Sequence, residues 1–215
     1  MHFLITAGPT REPIDPVRYL SNRSSGKMGY ALAAAALEAG HEVTLVSGPV
    51  AIAAPAGVTL FSVETAQEMY DAVAGLIPVA DVAIFCAAVA DYRVASVARE
   101  KIKKSEDELT LRLVKNPDIL GSARGVFGFT GVLVGFAAET NDLARHALDK
   151  LCRKQCDCIV ANDVSRMDIA FDRDVNEVSL FFADGSREEL PFASKREIAE
   201  ALIARIASLP QGERQ

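Results

Sequence analysis

Ser24-Ser25-Gly26-Lys27-Met28-Gly29 sets small residues and backbone N–H groups at the opening of an Ala-rich helix, an arrangement that suits a phosphate. It is not a Walker A loop, because Ser21 stands where the first glycine is required and Met28 where Ser or Thr would hold magnesium. Nor is it a GxGxxG fingerprint, and Val46-Ser47-Gly48 offers no acidic residue for a ribose, which counts against NAD. By residue type alone, Ser24, Gly26 and Gly29 serve either as a phosphate cradle or as a glycine-permitted helix start. Asp91, in Ala87-Ala88-Val89-Ala90-Asp91-Tyr92, is a carboxylate for a ribose, a base edge or Mg²⁺, or else a turn aspartate. Lys101-Ile102-Lys103-Lys104 is a basic run, and a solvated face is the plainer reading of Lys103 and Lys104. Lys150 and Lys154 lie four apart and so share a helix face, turned to a ligand or to solvent. Cys86, Cys152, Cys156 and Cys158 fit no standard zinc spacing and read as reduced thiols of a cytoplasmic protein. His2, His41 and His146 have no obvious base or ligand partner nearby in sequence, which disfavours a His-centred hydrolase.

These residues need a frame. Apolar runs at 2–7, 42–47, 80–88, 131–137 and 157–161 read as buried strands, and 109–114 alternates like one. Between them, 26–39, 65–77 (Thr65 as cap) and 142–155 read as helices. Asn116-Pro117-Asp118 opens another helix to about Ala123, with Asn116 as cap and Pro117 in its first turn. Residues 9–25 and 89–107 read as long loops, the second a flap. The alternation predicts an α/β, Rossmann-like three-layer domain with a parallel sheet over residues 1–209. A β-hairpin excursion follows at 176–191, then a helix at 195–208 and a flexible tail at 210–215. Val178, Leu180 and Phe182 share one strand face and Phe181 takes the other, so the hairpin needs a second surface, a partner copy or the sheet itself.

With 215 residues and 50% hydrophobic content, the chain can bury roughly 70% of its surface. A net charge of −6 argues against a general nucleic-acid or anionic-membrane binder. No apolar run reaches a membrane-spanning length, and Met1 to Ile5 lacks a basic signal-peptide start. The expectation is a cytoplasmic protein with neither nucleic-acid nor membrane partners.

The ordered set GPTREPIDPVR, SNRSSGKMG, AAVADY, KIKK, KNPDI and GFAAET, followed by CIVAND, resembles the phosphopantothenate–cysteine ligase family, the phosphopantothenoylcysteine synthetases of coenzyme A biosynthesis. Each motif alone is weak; six in one order across nearly the whole chain are specific. The resemblance implies a ligase that joins 4′-phosphopantothenate to L-cysteine with CTP and Mg²⁺ through an acyl-cytidylate, releasing pyrophosphate and then CMP. In many bacteria this activity is half of a fusion with a flavin-dependent decarboxylase. The chain starts directly at the ligase motifs, so it resembles a stand-alone form or an excised domain, and neither FMN nor decarboxylation is expected.

By motif, the resemblance makes Asn22 and Lys101 the catalytic residues, the first on the pantothenate side and the second a flap cation. It assigns nucleotide contacts to Phe85, Cys86, Ala87, Asp91, Lys101, Pro117, Asp118, Ile119, Leu120, Phe136, Lys150 and Lys154, with Asp91 also at the metal. Ser24, Gly26 and Gly29 become phosphate-binding. The segment Ser105 to Glu108 is short for the family. The family is dimeric, and the 176–191 hairpin resembles its dimerisation region. The same reaction with ATP, an NAD-dependent Rossmann oxidoreductase and a non-catalytic nucleotide-binding protein are the alternatives.

Overall fold

The computed structural model describes residues 1–104, 108–139, 141–163 and 175–210. Its elements begin with β1 (His2–Ala7), β2 (Arg11–Pro13), β3 (Tyr19–Ser21), α1 (Lys27–Glu38), β4 (Glu42–Ser47), β5 (Thr59–Ser62) and α2 (Ala66–Leu76). Then come β6 (Val82–Phe85), β7 (Tyr92–Val94), β8 (Leu113–Lys115), α3 (Ile119–Gly125), β9 (Val132–Glu139) and α4 (Leu143–Lys154). The chain closes with β10 (Cys158–Asp163), β11 (Val175–Phe182), β12 (Arg187–Ser194) and α5 (Lys195–Ala207).

One eight-stranded sheet runs β12-β11-β10-β9-β6-β1-β4-β5. The six strands from β10 to β5 are parallel to one another, while β11 and β12 are antiparallel additions. The period-two alternation of β1 decides its two faces. Phe3 and Ile5 join α1 and α5 in one core, and Leu4 joins α2, α3 and α4 in the other. Both faces are thus covered, which is why these strands read as continuous apolar runs. Each fully buried Leu or Ile contributes about 1.5–3 kcal/mol of transfer free energy to this sandwich. Chain order reverses between β1 and β6, so their carboxyl ends form the crevice where open α/β sheets bind ligands.

Several sequence expectations are corrected here. The C-terminal hairpin forms as expected, and it extends the main sheet: β11 pairs with β10 along Cys158↔Phe182 to Asn162↔Val178. Val178, Leu180 and Phe182 are buried on the α1/α5 face and Phe181 on the other, so both faces of β11 are covered within the chain, while β12 stays largely exposed. The 9–25 loop contains the β2–β3 ribbon, whose three-residue strands are too short to show a period. The 89–107 loop begins with β7, which pairs with β8, and the strand expected at 109–114 forms only at 113–115. The third buried strand is shorter than 80–88, and β5, exposed throughout, went unread. Asp118, not Asn116, caps α3: its carboxylate accepts the Gly121 N–H at 2.9 Å, and Pro117 precedes the helix. The flap residues 105–107, Thr140 of GFAAET and the tail residues 211–215 lie outside the described residues.

Candidate functional site at the β1/β6 switch

Two loops leave the carboxyl ends of β1 and β6 and are stitched into one floor. The Ala88 N–H donates to the Gly8 carbonyl at 2.9 Å, and Pro9 and Ala88 form a parallel bridge. The Ala87 and Ala90 N–H groups donate to the hydroxyls of Thr6 and Thr10 at 3.2 and 3.0 Å. Asn116 extends the floor, its amide donating to the Ala90 carbonyl at 2.8 Å while its backbone N–H reaches the Asp91 carbonyl at 2.9 Å. That service explains why Asn116 does not cap the helix. Asn22 is exposed, and its amide donates to the Ala88 carbonyl at 2.9 Å, which fixes the end of β3 against this floor.

Gly26 and Gly29 set the helix start. Gly26 is left-handed at φ +77°, and a Cβ there would lie 2.7 Å from Val50 Cγ1. At Gly29 a Cβ would lie 2.5 Å from the Ala7 Cβ, so only glycine lets α1 sit this close to β1. Gly26, as N-cap, supplies no side-chain cap to the first-turn N–H groups, while the Gly26 N–H itself donates to Ser24 Oγ at 3.3 Å.

A cleft of about 1040 Å³ opens beside β6 and β9. Of the sequence candidates, Phe85, Ala87, Asp91, Pro117, Asp118, Ile119, Leu120, Phe136, Lys150 and Lys154 line it. A second cavity of about 150 Å³ shares Ala87 and Phe136 with the cleft and is lined by Ser24, Gly26, Gly29 and Cys86. Lys101 is exposed and lines neither. Its neighbour Ile102 is held at the 15–18 turn: the Ile102 N–H donates to Asp15 Oδ2 at 3.1 Å, and Arg18 donates to the Ile102 carbonyl at 2.9 Å. Asp15 is buried, and the Arg18 guanidinium, working against burial, holds its carboxyl well below the usual carboxylate range.

The cleft is locally basic: Lys115, Lys150, Arg153 and Lys154 face Asp91, Asp118 and Asp149 in a chain of net charge −6. Lys150 Nζ donates to the Phe136 carbonyl at 2.7 Å, tying α4 to β9. Lys154 pairs with Asp118. Burial raises the Asp118 pKa, but the Lys154 ammonium and the Gly121 N–H outweigh it and hold the carboxyl below its ordinary value. Burial pushes the Cys86 thiol up to about 12 despite the opposing charge of Lys195, and it pushes Cys156 and Cys158 equally high. These three thiols are protonated at neutral pH and are not nucleophiles.

Among the described residues no group of three or more His, Cys, Asp or Glu side chains could hold a metal ion. Mg²⁺ carried largely by substrate phosphates needs only one or two protein carboxylates, and exposed Asp91 on the cleft wall fits that need. Among the described residues no helix is long and apolar enough to cross a membrane.

Sequence reasoning missed Asn116, His146, Asp149 and Arg153 in the cleft, and Asn162, Asn176 and Lys195 in the smaller cavity. Lys195 carried one legible signal: a lysine in the first turn of a helix opposes the macrodipole. Asn162 is the penultimate residue of β10, and only its environment marks it out.

The model of the "DNA/pantothenate metabolism flavoprotein C-terminal domain" family matches residues 1–209. The "Coenzyme A biosynthesis bifunctional protein CoaBC" of Vibrio vulnificus (strain CMCP6) is 49% identical over 208 residues, covering 96% of this chain and 52% of that protein. The protein of the same name from Escherichia coli (strain K12) is 49% identical over 211 residues, covering 97% and 52%. The chain thus spans about half the length of the curated relatives it matches. A crystal structure of the C-terminal domain of a CoaBC protein superposes with a TM-score of 0.81 at 42% identity, covering 95% of this chain and 93% of that one. The chain belongs to the DNA/pantothenate metabolism flavoprotein C-terminal domain family.

Proposed function

We propose that this chain joins 4′-phosphopantothenate to L-cysteine at the expense of CTP in coenzyme A biosynthesis. The pantothenate carboxylate attacks the α-phosphorus of CTP, the bond to the departing pyrophosphate breaks, and an acyl-cytidylate forms. The cysteine amine then attacks the acyl carbon, a proton leaves the nitrogen, and CMP departs with the anhydride oxygen. The observation that supports this reading best is a basic cleft joined to a smaller cavity at the β1/β6 switch, since the chemistry needs two substrates end to end.

The nucleotide occupies the larger cleft, against Phe85, Ala87, Asp91, the 117–120 turn and Phe136, with Lys150 and Lys154 on its phosphates or base. Asp91 would hold Mg²⁺, which neutralises charge on the triphosphate. Ser24, Gly26 and Gly29 frame a phosphate at the start of α1. Asn22 orients the carboxylate and the anhydride; its neutral amide binds the nucleophile without quenching it. Lys101 lies outside the cleft, so its role requires its segment to move inward on binding, bringing a cation to the charge that develops during cysteine attack.

The half-reaction gives the test. With phosphopantothenate but no cysteine, the protein is expected to exchange labelled pyrophosphate into CTP. Exchange that proceeds equally without phosphopantothenate, or no exchange in a protein that still forms product, would contradict the acyl-cytidylate route.

A further inference from the structure

Only two carboxylates are buried among the described residues, Glu12 at 1% and Asp15 at 3% exposure, and both belong to one short arm, residues 11–21. The arm is the β2–β3 ribbon with the 14–18 turn at its tip. Two paired strands of three residues have no core of their own to hold them in place. Asp15 works at the tip, where it engages Arg18 and the Ile102 N–H. The same turn also holds the other side of that segment, because the Ala98 N–H donates to the Ile14 carbonyl at 3.0 Å. Lys101 is thus flanked by two residues bonded to one turn. At the base of the arm Asn22 follows β3 directly, and Ser21 Oγ donates to the Thr10 carbonyl at 2.7 Å. One arm therefore bears on both residues to which the ligase reading gives the chemistry.

Glu12 joins this arm to the frame. Its Oε1 accepts the Ala66 N–H at 2.9 Å, at the first residue of α2, and beside it the Arg11 N–H donates to the Glu64 carbonyl at 2.7 Å. The start of a helix carries the positive end of its macrodipole and unpaired N–H groups, which offset the cost of burying a carboxylate. The helix does not need Glu12 as its cap, since Thr65 and Glu68 already form a complete capping box. The bond therefore serves the arm. We propose that Glu12 is a positioning residue: it locks the 11–21 arm to the start of α2 and so sets Asn22 and the base of the Lys101 segment together. The inference rests on the ligase reading.

The test is single-turnover release of pyrophosphate and of CMP, measured well below the melting temperature, in Glu12→Leu and Glu12→Gln. Leucine removes the acceptor and strands the Ala66 N–H. Misplacing reacting groups by about 1 Å costs on the order of 10² in rate, so Glu12→Leu should slow both steps by about 10- to 100-fold. Glutamine keeps an acceptor but loses the attraction to the helix end, so it should slow both steps less, by about two- to fivefold. The CTP KM should be unchanged in both, because the nucleotide cleft is not built from the arm. Ala66→Pro removes the same bond from the other side, at a first helical position that accepts proline after an extended Thr65, and should repeat the double loss. Glu12→Gln leaves the capping box and an acceptor in place, so it keeps the test decisive if the other variants do not melt cooperatively. Wild-type rates of both steps in Glu12→Gln, loss of one step alone, or a raised CTP KM as the sole change would overturn the proposal. A wild-type chain that makes no phosphopantothenoylcysteine would instead remove the ligase reading itself.

Discussion

Neither Asn22 nor Lys101 lines either of the two cavities described, and the proposed reaction needs the two to reach the site by different means. Asn22 is pinned by its bond to the Ala88 carbonyl, on the floor itself. Lys101 stands beside Ile102, which is held at the 15–18 turn, and its proposed role requires it to travel. The two should therefore fail at different steps. Asn22→Asp loses the donor to Ala88 and sets a second negative charge against the substrate carboxylate. It should depress formation of the acyl-cytidylate or its further conversion by about 10²–10³. Lys101→Gln should still bind CTP and phosphopantothenate and release pyrophosphate, but should slow CMP release more. Single-turnover assays that follow pyrophosphate and CMP separately check this, and near-wild-type rates of both products in both variants would contradict the assignments.

Asp15 and its turn form the anchor from which the Lys101 segment extends. Asp15→Asn removes the charge that engages Arg18 and the Ile102 N–H, so CMP release should slow by about tenfold while the CTP KM stays unchanged. The pH dependence has a definite sign. The folded carboxyl titrates well below its ordinary value of 3.8, so its contribution to stability is fully present above that value. It is lost as pH falls through the lowered folded value, and acid unfolding of the Asn variant should lack this component. Packing of α1 on β1 is tested by Gly29→Ala, whose Cβ would lie 2.5 Å from that of Ala7. A loss of about 1–3 kcal/mol is expected, or roughly 2–4 °C of melting temperature per kcal/mol, and an unchanged melt would contradict the close approach. The central strands were legible because burial on both faces leaves an unbroken apolar run, as in Phe3-Leu4-Ile5. The β2–β3 ribbon, β7 and the exposed edge β5 were not, since three or four residues are too few to show a period, and β8 was caught only at the end of the strand expected at 109–114. The nucleotide-side residues were legible through ordered motifs, and ten of them line one cleft. Asn162, Asn176 and Lys195 were not, because only the sheet order brings the end of the chain beside the start of α1.

The whole molecule ends on one side in β12, an edge strand with one row of backbone groups unpaired by the sheet and with Phe192 54% exposed. The apolar faces of β11 are already covered, so the proposed homodimer draws its support from the β12 edge and from the family resemblance. Light scattering should give twice the chain mass, and Phe192→Lys should shift it towards one; a monomer at working concentration would defeat the dimer. The central claim concerns the reaction. Its most direct measurement is mass spectrometry of the products formed from phosphopantothenate, cysteine and either CTP or ATP. The account predicts phosphopantothenoylcysteine with one CMP and one pyrophosphate per turnover, faster with CTP, because hydrogen bonds to the base's exocyclic groups discriminate strongly when left unpaired. Equal or faster turnover with ATP would contradict the nucleotide assignment, and the absence of phosphopantothenoylcysteine with both nucleotides would contradict the ligase itself.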